Sequence, residues 1–207
     1  MKSFSMAKKF YLCSNNYYDT CKLLKKKFWE DVNFSLLNPM VYLLRHTLEL
    51  VLKALILLSI EQQELENNLN IDIYGEKFDL SRTHSLEVLI NKFVYIQENH
   101  RLTTIYDEEM KNVIKIVIKY DKYDRGSDYY RYPLTKKGKF TIQKSGIIDD
   151  DMIEIGKKNQ CFVFNFNQNE TTIKHVTLYD KRTFEYSKKL MYSVDYLYSL
   201  LSTMFNR

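Results

Sequence analysis

The chain has 207 residues, 45% apolar and 28% charged, a balance that suits a globular protein and excludes intrinsic disorder. The length fits one domain, residues 1–207, and the net charge of +5 permits contact with nucleic acid or an anionic surface without demanding it. Five glycines and two prolines favour long helices over many tight turns.

Residues from about Ala7 to Glu30 read as a first helix. Tyr11, Tyr17, Tyr18, Leu24 and Phe28 give its apolar side, and Lys22, Lys25, Lys26 and Lys27 crowd its end, where cations suit the helix dipole. Asn38 and Pro39 mark a second start, Asn38 as N-cap and Pro39 at the first helical position, for a helix reaching about Gln62. Glu64–Leu80 is polar and reads as a connector. Ser81 or Thr83 can cap a third helix from His84 to about Asn99, with Leu86, Leu89, Ile90, Phe93 and Ile96 at helical spacing. A fourth covers roughly Tyr106–Tyr120, burying Val113, Ile114, Val117 and Ile118.

Asp121–Ile148 has no clear period and reads as an inserted loop, extended at Tyr132 because Pro133 follows. Cys161–Phe166 and Thr171–Leu178 alternate apolar with polar around an Asn/Gln-rich link, a hairpin signal over residues 160–178. Thr183–Phe205 closes the chain as a helix carrying Leu190, Val194, Leu197, Leu201 and Met204 on one side. The expected fold is mainly α: an up-and-down helical bundle with a small β-hairpin before the last helix.

Leu43–Leu58 is nearly as apolar as a membrane span, yet it holds Arg45, His46, Glu49 and Lys53. Four ionisable groups near a bilayer midplane argue against a membrane role. Cys13, Cys21 and Cys161 form no CxxC and leave an odd count, and residues 1–9 lack an apolar signal core, so a cytoplasmic location is expected.

Arg45, Glu49 and Lys53 stand four residues apart and share one helix face. Charges in so apolar a helix are costly unless paired. They can form a polar site, with Arg and Lys stabilising negative charge and His46 moving a proton. They can equally form an intrahelical ladder on an exposed strip, or a satisfied network at a subunit interface. His84 opens a helix, where the dipole favours a neutral imidazole available as a base; it can also be a plain surface residue. Arg131, among Tyr129, Tyr130 and Tyr132, can reach back to the bundle or remain a loop cation. Lys111, Lys115, Lys119, Lys122 and Arg125 form a basic stripe, readable as a nucleic-acid contact or as a solvated face. His100 and His175 lack ligand-spaced partners, Asp149–Asp151 reads as a solvated turn or a helix cap, and no metal or other cofactor is expected. GxxxxGKS/T, GxGxxG, GxSxG and HExxH are absent, removing the usual support for a phosphate-loop ATPase, a serine hydrolase or a zinc protease.

Three elements in order carry a family resemblance: Arg45-His46…Glu49…Lys53 on an apolar helix after Pro39, then Thr83-His84-Ser85-Leu86, then Tyr130-Arg131-Tyr132-Pro133. Together, over residues 39–133, they resemble one branch of the HEPN-like (higher eukaryotes and prokaryotes nucleotide-binding) proteins. The resemblance implies an all-α bundle that commonly forms a homodimer or meets a partner encoded nearby. It also implies a setting in prokaryotic toxin–antitoxin or anti-phage defence, and RNA as the target. Many HEPN proteins are metal-independent endoribonucleases whose motif is an Arg, four to six residues, then a His. None of the four histidines here follows an Arg at that spacing, so cleavage requires a rearranged set drawn from Arg45, His46, Glu49, Lys53, His84 and Arg131. A non-catalytic scaffold subunit and a nucleotide-binding module are the competing expectations.

Overall fold

The computed structural model describes residues 6–31, 36–60, 69–73, 75–99, 107–123, 145–146, 162–166, 173–178 and 181–206. Five helices hold most of these residues: α1 (Met6–Asp31), α2 (Leu37–Ser59), α3 (Leu86–Asn99), α4 (Glu108–Tyr123) and α5 (Lys181–Phe205). The mainly helical class and the hairpin before the last helix are as the sequence implies.

α2 is the axis of the bundle. Seventeen of its 23 residues are buried, including charged Arg45, Glu49 and Lys53. A helix buried on every side must be surrounded, and α1, α3 and α5 all pack against it. α4 closes the ring between α3 and α5. Leu44, Leu48, Val51, Leu52 and Leu55, all at 0% exposure, anchor the core. No described helix is long and apolar enough to cross a membrane.

Several boundaries differ from the sequence reading. α2 begins at Leu37, so Asn38 is inside the helix and is not its cap; Leu36 holds the cap position and makes no side-chain cap bond. Pro39 is still tolerated, because the first four helical N–H groups have no intrahelical acceptor anyway. α3 begins at Leu86, leaving His84 two residues outside it. α4 runs through Tyr123, which takes Asp121 out of the expected loop and onto a helix.

The expected connector contains a hairpin. β1 (Asn70–Ile73) pairs antiparallel with β2 (Glu76–Asp79), in register Ile71 to Phe78. Ile71 and Ile73 point into the core while Asn70 and Asp72 are exposed. Gly75 turns the chain at φ 87°, where a side chain would be strained, and its N–H donates to Asp72 Oδ1 at 2.7 Å. The later hairpin, β4 (Phe162–Phe166) with β5 (Ile173–Leu178), gains a third strand: β3 (Ser145–Gly146) pairs on the other side of β5, giving the order β3-β5-β4.

Because Leu52 is fully enclosed on the central helix, Leu52→Ala should cost about 2–5 kcal/mol. Chemical denaturation should show a lower midpoint with an unchanged slope.

Candidate functional site

The buried charges of α2 meet the beginning of α3 and the end of α4. Spacing of four residues stacks Arg45, Glu49 and Lys53 on one face, with side-chain exposures of 2%, 6% and 5%. Glu49 sits between the cations. Lys53 Nζ donates to its Oε1 at 2.9 Å, and Arg45 Nη1 approaches its Oε2 at 3.5 Å. The ladder is therefore real but interior, not the exposed strip that the spacing also allows.

Arg45 carries the ladder to two further elements. Its Nη2 donates to the His84 carbonyl at 2.8 Å and lies 3.6 Å from Asp121 Oδ1 on α4. Asp121 is completely buried and caps α3: its Oδ1 accepts from the Leu86 N–H at 2.9 Å and its Oδ2 from Ser85 Oγ at 2.6 Å. A carboxylate at a helix N-terminus also complements the dipole there. Ser85 Oγ in turn accepts from the Val88 N–H at 3.3 Å. Arg45 Nε is buried without a hydrogen-bond partner.

A tight turn delivers His84 to this cluster. Asp79 Oδ1 accepts from the N–H groups of Ser81 and Arg82, and the Asp79 carbonyl accepts from Thr83 Oγ1. The hydrogen bonds from Ser81, above all its side chain, hold the Asp79 carboxyl below its ordinary value. His84 emerges with its Nδ1 at 3.0 Å from Glu49 Oε1 and its side chain 63% exposed. A carboxylate can only accept, so Nδ1 carries the proton and the imidazole keeps Nε2 for solvent. Burial pushes the Glu49 carboxyl upward, but the bonds and charges of Lys53 and His84 outweigh it, and Glu49 lies below its ordinary 4.5.

The expected set is thus gathered in part. Arg45, Glu49, Lys53 and His84 converge. His46 is held elsewhere, with Tyr17 of α1 against its ring edge-on at 4.6 Å and Tyr42 parallel at 6.4 Å. Arg131 and Arg125 lie outside the described residues. Along α4, Lys115, Lys119 and Lys122 are exposed, while Lys111 is half-buried and donates to Glu108 Oε1 at 2.6 Å. Sequence reasoning missed Asp121 and Ser85. The signal for Asp121 was its place four residues after Val117 on the apolar stripe of α4. It also passed over Arg82, whose side chain is 90% exposed two residues before His84.

Chemically, the four buried charges cancel. Arg45 and Lys53 are committed to carboxylates and do not face solvent, so they orient and do not bind. The one group offered to solvent is the His84 imidazole. Among the described residues no group of three or more His, Cys, Asp or Glu side chains could hold a metal ion. Compared with family models, characterised proteins and solved structures, the chain matches none.

Two outcomes follow from the buried charges. Glu49→Ala strands Lys53 and takes one of two carboxylates from Arg45, and should cost about 3–5 kcal/mol, whereas the double change Glu49→Leu, Lys53→Met, which leaves Arg45 balanced by Asp121, should recover most of that loss in thermal denaturation. Glu49's contribution is fully present above its unfolded value near 4.5 and is lost as pH falls through its lower folded value. Melting temperatures measured downward from pH 5 should therefore fall more steeply for the native protein than for Glu49→Gln.

Proposed function

We propose that the chain is an RNA-directed HEPN-like effector of a prokaryotic anti-phage defence or toxin–antitoxin system, acting as a homodimer or with a partner encoded nearby, in which His84 is the general base. The observation that carries this reading is the His84 ring, anchored through Nδ1 to the buried Glu49 carboxylate and open to solvent at its other edge. A carboxylate that fixes the tautomer and orientation of an exposed imidazole is the arrangement that prepares a base for proton abstraction.

Nε2 takes the proton of a ribose 2′-OH. The 2′-oxygen attacks the adjacent phosphorus, and the 5′-oxygen of the next nucleotide leaves and takes a proton from water. The products are a 2′,3′-cyclic phosphate and a 5′-hydroxyl end. Arg45, Lys53 and Glu49 act as positioning residues behind His84, and Arg82 is the exposed cation closest to it in sequence for contact with the phosphate. The conserved-spacing HEPN site is not what this chemistry uses; its histidine comes from the turn before α3.

A scaffold reading is favoured by a different observation: Arg45, Glu49, Lys53 and Asp121 balance one another while joining α2, α3 and α4, which serves fold specificity without any reaction. The exposed imidazole separates the two. His84→Ala removes one partner of the buried Glu49 carboxylate and should lower stability by about 1.5–3 kcal/mol, with cleavage compared at a temperature where circular dichroism shows both chains folded. It should slow RNA cleavage in chelator by about 10²- to 10⁴-fold, and Glu49→Gln should lower kcat with KM retained. Intact RNA after prolonged incubation with the native protein would leave the scaffold reading standing.

A further inference from the structure

A concavity lies on the other side of α2 from the charge cluster. Met40 and Glu49 are nine residues apart, and at about 100° per residue they occupy opposite faces of the helix. Met40, Phe28 of α1 and Met191 of α5, each no more than 6% exposed, line a cleft of about 280 Å³. That size is just under the roughly 300–1,000 Å³ of ordinary small-molecule sites, so it admits one ring system and little more.

The walls select the kind of ring. Trp29 is 55% exposed although it is the chain's only tryptophan, and a large aromatic left that open is an unused contact surface. It is braced by Phe28 at 5.1 Å and Phe184 at 5.9 Å, both near-perpendicular, so its orientation is set before anything binds. Lys25 and Lys188 stand among the lining residues, and Lys188 Nζ lies 4.2 Å over the Phe184 ring. Asp195 is the one carboxylate among them, and its Oδ1 already accepts from Tyr18 at 2.9 Å.

Braced aromatics beside two lysines are what a stacking, anion-bearing ligand requires. We propose that this cleft between α1 and α5 takes one planar ring carrying a nearby phosphate, the chemistry of a nucleoside monophosphate, free or as one unit of a single strand. The ring enters beside Trp29, and Lys25 and Lys188 meet the phosphate. The site extends the RNA-directed reading but is carried by its own walls, on the face of α2 opposite the one that His84 meets.

Trp29 emission reports directly on the cleft. Titrating the full chain with 5′-AMP should give saturable quenching, adenosine a weaker response, and inorganic phosphate none. A short oligoadenylate binding at least about tenfold tighter than AMP assigns the ligand to a strand; equal or weaker binding assigns it to the free nucleotide. Lys25→Ala with Lys188→Ala should weaken AMP at least about tenfold, both positions being exposed and their loss compatible with folding. His84→Ala should bind as the native chain does, so loss of cleavage and loss of this site are told apart. Calorimetry with the same ligands covers a bound state that leaves the emission unchanged. The proposal is overturned by absence of heat and of quenching at millimolar AMP and oligoadenylate, by undiminished binding in the double lysine variant, or by phosphate alone matching AMP. An emission change that follows protein concentration alone would instead assign the cleft to self-association, and overturns it as well.

Discussion

Everything in the middle of this molecule depends on the carboxylate of Glu49. It is enclosed by the most apolar helix of the chain, where an uncompensated charge is untenable, and it survives because Lys53, Arg45 and His84 all reach it. Burial alone would push its carboxyl upward; the bonds and charges of Lys53 and His84 more than reverse that. The ionised form is what makes the rest coherent. Only as an anion does it, together with Asp121, offset the two cations of α2, and only as an acceptor does it determine which nitrogen of His84 holds the proton.

The same network decides how three helices are joined. α2 and α3 could slide along an apolar contact at small cost, since Leu and Ile surfaces carry little directional information. Arg45 removes that freedom. Its guanidinium is a rigid fork, and one arm takes the His84 carbonyl while lying near Asp121, which itself holds the first N–H of α3. Moving α3 by one residue would strand a buried cation, a buried carboxylate and a helix N-terminus at once. Specificity of this kind rests on polar groups even where their net stabilisation is small.

The sequence made the helices legible because their apolar positions repeat at helical spacing over many residues, and α2 announced its burial by having scarcely any polar face. The later hairpin was readable from alternation in Phe162–Phe166 and Ile173–Leu178. β1–β2 was not, because four residues per strand with acidic neighbours give too short an alternation to stand out from a polar connector. Arg45, Glu49 and Lys53 were legible as a set, since charge inside an apolar run is conspicuous, and so was His84 as a group near the start of a helix. That His84 would meet Glu49 was not readable, because it depends on a turn built by Asp79, Ser81 and Thr83. His46 misled for a simple reason: adjacent helical residues point about 100° apart, so a histidine next to Arg45 faces Tyr17 of α1 instead.

α2 thus separates two chemistries. One face carries balanced charge and aims a single imidazole at solvent, while the opposite face is apolar and forms the back of an aromatic cleft rimmed by lysine. A helix buried on all sides transmits constraint well, because close-packed interiors do not yield continuously. Yet the groups on its two faces share no hydrogen bond among the described contacts. A coupling from the cleft beside Trp29 to His84 that ran through α2 would have to move the helix as a body. Such a movement would have to break the bonds by which Arg45 and Glu49 hold α3 and α4, so the fold itself argues for two sites that work side by side.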